Sequence, residues 1–238
     1  MSAAPDPRVI GFDLGETLLT YAETPLSWVA HYPAALDEVG RACGLQLHAA
    51  QRDAAIAILT RYNTRINPRR DEVSATHIFA EILAAWSADP DRHRSVAITA
   101  FFRHFQQRLR AYPETIDVMT TLKSRGCTLG LLTDVPYGMP REFVERDLEQ
   151  GRISGLVDLL LTSVEIDRRK PDPMGFHELA KRCSTTAEKM WYVGNEEKDI
   201  VGAREAGAIA VLVDRENRNS SWGQHHTISD LRELLELL

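Results

Sequence analysis

Four short apolar runs in this chain each stop at side chains able to do chemistry on an anion. Val9-Ile10-Gly11-Phe12 stops at Asp13, followed by Gly15, Glu16 and Thr17. Residues 128–132 lead to Thr133 and Asp134. Residues 156–161 lead to Thr162, Ser163 and Glu165, with Arg169-Lys170-Pro171-Asp172-Pro173 just beyond. Met190-Trp191-Tyr192-Val193 leads to Gly194-Asn195-Glu196-Glu197-Lys198-Asp199. A carboxylate held at a strand tip can attack phosphorus and form an acyl phosphate. A hard divalent cation on oxygen ligands offsets the repulsion between that carboxylate and a phosphate dianion. A lysine and a hydroxyl can bind the nonbridging oxygens as charge shifts in the transition state. One polar strand end is ordinary. Four in one chain supply every part of a phosphoryl-transfer centre.

The elements that must position these groups change character along the chain. After the first run, residues 25 to 109 read as helical throughout. Leu26, Val29, Ala30, Ala34, Leu36 and Val39 predict one amphipathic helix ending near Gly44, and Ala54, Ile56, Ile58, Leu59 and Tyr62 a second. Val73, His77, Ile78, Ile82, Leu83 and Trp86 predict a third, and Val96, Ile98, Phe101, Phe102, Phe105 and Leu109 a fourth. Breaks at Asn67-Pro68 and Asp89-Pro90 separate the last three. Beyond Tyr112-Pro113 the pattern alternates. Helices are expected at 115–124, 174–183 and 199–206, strands at 128–132, 156–161, 190–193 and 209–213, and a terminal helix at 228–238. Alternation of this kind implies an α/β fold with a Rossmann-like, mostly parallel sheet covered on both faces. In such sheets ligands sit beyond the carboxyl ends of the strands, where strand order reverses. The expected organisation is an α/β core from residues 1–20 and 110–238, interrupted by an all-helical insert at 21–109.

Composition narrows the partners. The 238 residues carry 34 acidic against 28 basic side chains, a formal charge of −6, which argues against a phosphate-backbone binder of nucleic acid. No run approaches the ~18 apolar residues needed to span a bilayer, and residues 1–8 lack a charged-then-apolar signal layout, so a cytoplasmic protein is expected. Cys43, Cys127 and Cys183 are scattered and odd in number, the reading being small buried residues. The eight histidines lack ligand spacing. Both monomer and homodimer are compatible with the sequence.

Taken in order, the four polar clusters resemble the haloacid dehalogenase (HAD) superfamily of phosphohydrolases. Residues 10–18 look like its first motif, with Asp13 as nucleophile, and residues 131–134 like its second, whose hydroxyl (Thr133) binds phosphate. Residues 169–173 look like the third, whose lysine (Lys170) steadies nucleophile and phosphate, and 193–203 with Ala206-Gly207 like the fourth, which holds magnesium. The helical insert stands where this family's C1-type cap closes over the site. The resemblance implies a Mg²⁺-dependent phosphatase acting on a small phosphorylated metabolite, with Asp13, Thr133 and Lys170 catalytic. It implies Thr17 and Asp134 at the substrate, and Asp13, the Gly15 carbonyl, Asn195 and Asp199 around the ion, Asp199 through water if not directly.

Two positions depart from the family pattern. Gly15 replaces the usual second aspartate, a general acid and base worth roughly two to four orders of magnitude. Glu16, Asp134 or water would have to stand in. Asn195 replaces a metal-binding aspartate, removing one negative charge, for which Glu196 would compensate. Two other readings use the same fold: a 2-haloacid dehalogenase, which needs neither metal nor second acid, and a catalytically impaired binding protein. In the insert, Arg61, Arg65, Arg69 and Arg70 are expected to form a solvated face offset by Asp71 and Glu72, with substrate gripping as the alternative. Trp28, His31 and Tyr32 are expected to pack in the insert's core.

Overall fold

The computed structural model describes residues 9–21, 27–106 and 109–238. Strand β1 (Val9–Phe12) is buried along its whole length, as a continuous apolar run in a covered parallel sheet must be. A two-residue strand β2 (Leu19–Thr20) follows it and pairs with β3 (Arg110–Ala111), so the chain leaves and re-enters the core side by side. Between them lie four helices: α1 (Tyr32–Ala42), α2 (Ala49–Tyr62), α3 (Ala75–Ala85) and α4 (Pro90–Phe105). Their shared interior holds Leu36, Val39, Ile78, Phe79, Ile82, Phe101 and Phe102, all fully buried. Trp28 stacks on Phe105 with ring centroids 3.9 Å apart, and Tyr32 is buried, as expected, whereas His31 is exposed. The helical expectation at Leu26 lies outside the described residues, as do parts of both linkers.

The rest of the chain alternates. It runs α5 (Thr115–Ser124), β4 (Thr128–Thr133), α6 (Arg141–Gln150), β5 (Leu159–Thr162), α7 (Ser163–Ile166) and α8 (Met174–Arg182). It closes with β6 (Met190–Gly194), α9 (Glu197–Glu205), β7 (Ile209–Val213), β8 (His226–Ile228) and α10 (Leu234–Leu237). Six strands form one parallel sheet in the order β5-β4-β1-β6-β7-β8. Strand β1 is central, with β4 on one side and β6 on the other, and strand order reverses between β1 and β6. Asp13 therefore stands at the switch point where a parallel sheet opens a crevice.

Several elements differ from the sequence expectation. Residues 228–238 do not form one helix: Ile228 ends β8, and a short turn at Leu231–Glu233 precedes the four residues of α10. Leu156 belongs to a single turn (Ser154–Leu156), so β5 begins only at Leu159. Helix α6 is unforeseen, although Phe143, Val144 and Leu148 share one face at helical spacing. Cys43 and Cys127 are buried, while Cys183 is only half-buried. No helix among the described residues is long and apolar enough to cross a membrane.

Candidate active site

Asp13 follows β1 directly, and its backbone N–H continues the ladder by donating to the Val193 carbonyl at 2.9 Å. Lys170 lies 157 positions away in sequence, yet its Nζ donates to Asp13 Oδ1 at 2.5 Å. The same ammonium lies 2.6 Å from Asp199 Oδ1 and donates toward the Leu132 carbonyl and the Tyr192 hydroxyl, both at 3.2 Å. Asp199 Oδ1 accepts no directed hydrogen bond; its ionic contact with Lys170 is what balances it. Asp199 Oδ2 accepts the N–H groups of Asn195 and Glu196 at 3.1 and 2.9 Å, capping α9. A Cβ at Gly194 would lie 2.4 Å from that of Asp199, so only glycine lets this side chain fold back.

One lysine thus serves two carboxylates, leaving the trio one negative charge in excess. Burial, the largest influence, pushes the Asp13 carboxyl up to about 6; Lys170 opposes this and Asp199 adds to it. Burial alone would lower Lys170, but Asp13 and Asp199 outweigh it and hold the ammonium well above its ordinary value. Asp13 Oδ2 takes no hydrogen bond from the described residues.

A cavity of about 380 Å³ opens in front of Asp13. Gly15, Thr133, Asp134, Asn195, Glu196 and Lys198 line it from the core, and Trp28, Asn63, Arg65 and Phe105 from the helical segment. Thr17, Lys170 and Asp199 stand behind this lining. The Thr17 hydroxyl is buried and donates to Asn195 Oδ1 at 3.1 Å, so it orients that amide instead of meeting a substrate. Asp134 reaches the cavity wall, but its Oδ1 accepts the Lys170 N–H at 3.1 Å and its Oδ2 faces Lys198 at 3.3 Å. Burial would raise its pKa, yet Lys198 and Arg169 prevail and hold it below the carboxylate range. Ionised and committed, Asp134 is no proton donor. Glu16 is tied as well: its Oε1 accepts the Tyr21 N–H at 3.1 Å and its Oε2 the Tyr112 hydroxyl at 2.6 Å. Neither acid is poised to replace the one missing at Gly15.

The donor set can be judged for a hard cation. No three His, Cys, Asp or Glu side chains converge on a common point among the described residues. The oxygens available are those of the Asp13 carboxylate, the Gly15 carbonyl and the Asn195 amide, three residues that all line the cavity. Such a partial oxygen set with water completing the shell suits Mg²⁺, which keeps several waters. The excess negative charge at Asp13 and Asp199 also favours a cation there. The residues present therefore fit that ion, with Asp199 serving Lys170 and the α9 cap.

The arginines of the helical segment are largely paired, as the solvated-face reading expects, though of the two expected acids only Glu72 is a partner, to Arg69. Arg61 pairs with Glu81, Arg69 with Glu72 at 3.4 Å, and Arg65 reaches across to Glu196 of the core at 2.6 Å. Asp71 instead pairs with Arg168, and Glu72 also accepts from the Ser163 hydroxyl at 2.5 Å and from Arg169. These contacts dock the helical segment onto the core beside the cavity.

The family model for the haloacid dehalogenase-like hydrolases matches residues 7–207. The chain belongs to the haloacid dehalogenase-like hydrolases. It is similar to a phosphoserine phosphatase of Thermus thermophilus, 29% identical over 95% of this chain and 97% of the relative. It is also similar to (S)-2-haloacid dehalogenase 1 of a Pseudomonas species, 28% identical over 55% of this chain and 57% of the relative. Among solved structures, a HAD phosphatase of Thermococcus onnurineus superposes with a TM-score of 0.65 at 21% identity, covering 97% of both chains.

This haloacid dehalogenase-like hydrolase also carries cavity residues outside the four motifs. Tyr21 follows β2 directly, and its ring lies beside Gly15: a Cβ added there would be 3.3 Å from Tyr21 Cε2. Its hydroxyl donates to Asp147 Oδ2 at 3.4 Å, and Gln106 Nε2 donates to Asp147 Oδ1 at 3.2 Å. Tyr21, Gln106 and Asp147 all line the cavity. One signal in the sequence points to Asp147: it occupies a position on the face of α6 otherwise filled by Phe143, Val144 and Leu148.

Burial pushes the Asp147 carboxyl up to about 6 against the pull of the Gln106 and Tyr21 hydrogen bonds. A folded value above 3.8 means that protonation favours the fold. The resulting penalty is absent at low pH, grows as pH rises from about 4 to about 6, and stands at about 3 kcal/mol at neutral pH. Asp147→Asn is therefore expected to be more stable than the parent at pH 8, with the gain shrinking as pH falls toward 4. Urea midpoints at both pH values measure this, and a variant less stable than the parent at pH 8 contradicts it.

Proposed function

We propose that this hydrolase is a Mg²⁺-dependent phosphatase that cleaves a small phosphorylated metabolite through an aspartyl-phosphate at Asp13. The observation that carries the reading is the buried contact of Lys170 with Asp13 at the floor of a cavity lined by Thr133, Gly15 and Asn195. Similarity to a phosphoserine phosphatase along nearly the whole chain supports it. The helical segment, taken as 21–109, acts as a cap over the core formed by 1–20 and 110–238.

The residues act as follows. Lys170 orients the Asp13 carboxylate, which attacks phosphorus in line with the leaving alcohol. The Thr133 hydroxyl donates to a nonbridging oxygen, and the Lys170 ammonium stabilises negative charge as the P–O bond lengthens. Asp199 and the Leu132 carbonyl fix that ammonium in place, and Asp134 holds the Lys170 backbone. Asp13, the Gly15 carbonyl and Asn195 would hold Mg²⁺, whose positive charge would let a carboxylate approach a phosphate dianion. Water then attacks the aspartyl-phosphate and regenerates Asp13. With Gly15 in place of an acid, the leaving oxygen takes its proton from water.

A panel of phosphomonoesters assayed for phosphate release with Mg²⁺ and with EDTA tests this reading. Turnover that depends on Mg²⁺ is expected, together with an acid-stable phosphoryl label on the protein lost in Asp13→Asn. The dehalogenase reading keeps one observation in its favour, since halide displacement needs no acid and Gly15 provides none. Chloride release from 2-chloropropionate in EDTA, with no phosphate from the panel, would replace the phosphatase with that activity.

A further inference from the structure

We infer that the Asp147 carboxylate receives a cationic nitrogen of the substrate, so that the preferred substrates are small phosphomonoesters bearing a protonated amine. The inference rests on the phosphatase reading and names its substrate class.

The other buried carboxylates among the described residues come with cations. Asp13 and Asp199 share Lys170; Asp134 faces Lys198 and Arg169; Glu72 has Arg169; Glu114 has Arg215 at 2.6 Å; Asp214 has Arg218 at 3.8 Å. Asp147 is 5% exposed, and among the described residues its partners carry no charge. Among the described residues it accepts from the Gln106 amide and the Tyr21 hydroxyl, at the long distances of 3.2 and 3.4 Å. An ionised carboxylate in such a place lacks its counter-charge, which is costly unless something supplies one.

Its position says what that something is. Asp147 lines the same cavity as Asp13 and Thr133, and a single tyrosine, Tyr21, separates it from the nucleophile's loop at Gly15. A molecule whose phosphate rests on Asp13 and Thr133 would project its leaving group into the remaining cavity, where Asp147 is an uncompensated anion. An ammonium there completes a charge-assisted hydrogen bond and restores the missing ion pair. Gln106 and Tyr21 are positioning residues: they hold both carboxylate oxygens where the chain enters and leaves the helical segment.

O-phosphoethanolamine and propyl phosphate differ by an ammonium against a methyl group and are nearly the same size. The parent is expected to favour the amine in kcat/KM by about tenfold or more, the worth of a hydrogen bond to a charged group. In Asp147→Asn that preference falls toward one, through KM for the amine, and Asp147→Glu recovers part of it. A parent with no preference overturns the inference, as does a preference that survives Asp147→Asn or an equal loss on both esters through kcat. Hydrolysis of neither ester, nor of any other phosphomonoester, would be the failure of the phosphatase reading instead. Calorimetric affinities for the same two compounds then judge Asp147 by the same tenfold criterion.

Discussion

Asp13→Asn is expected to lower kcat by about four orders of magnitude or more, the scale seen when a nucleophile is removed from an otherwise intact site. An amide oxygen carries too little charge to attack phosphorus, and no other carboxylate can take its place. Asp199 is buried behind Lys170 with both oxygens engaged, and Asp134 is held by Lys170, Lys198 and Arg169. The fold is expected to survive. Lys170 keeps the Asp199 carboxylate at 2.6 Å and the Leu132 carbonyl at 3.2 Å, so the substitution does not strand a buried cation. Phosphate release and a thermal melt measured side by side separate the two effects. A variant with more than a tenth of the parent's kcat would remove Asp13 from the nucleophile's role.

Lys170→Met is expected to harm both stability and activity. The ammonium is the sole cation between Asp13 and Asp199, at 2.5 and 2.6 Å, and all three groups are buried. Without it, two carboxylates confront each other in a medium that solvates neither, a loss of about 3–5 kcal/mol for a broken buried pair. The chemistry suffers through the same change. Lys170 is the strongest influence lowering Asp13, whose carboxyl already stands at about 6, so removing it drives that value higher and leaves the nucleophile protonated near neutral pH. The acid limb of the kcat/KM profile should accordingly move upward, with kcat at neutral pH reduced by about two to three orders of magnitude from lost transition-state stabilisation. Urea unfolding and the pH–rate profile measure the two losses. An unshifted acid limb would show that Lys170 does not govern the ionisation of Asp13.

Much of this arrangement is legible along the chain because its signals are local. The runs before Asp13, Thr133 and Asn195 are apolar on both faces, which only a covered parallel strand requires, and they are β1, β4 and β6 as expected. Helix 115–124 and strand 209–213 appear with the residues predicted for them. Strand β8 is not legible, because three residues, one of them exposed, carry no readable period. The place of Thr17 is hidden for a related reason: its nearness to the nucleophile follows from sequence, but not the Asn195 amide that claims its hydroxyl.

Residue types and their order set the available chemistry: a carboxylate, a hydroxyl, a lysine and an amide, each delivered by a strand or the segment after it to one edge of a parallel sheet. They also determine what is missing, since glycine at position 15 has no side chain to move a proton. Which groups share a proton or a charge is settled only by the tertiary structure. Lys170 meets Asp13 across 157 positions, and Asp147 meets Tyr21 across 126. Pairings of that separation depend on how helices and strands pack, and burial by that packing, rather than residue identity, turns an ordinary aspartate on α6 into a carboxylate in want of a cation.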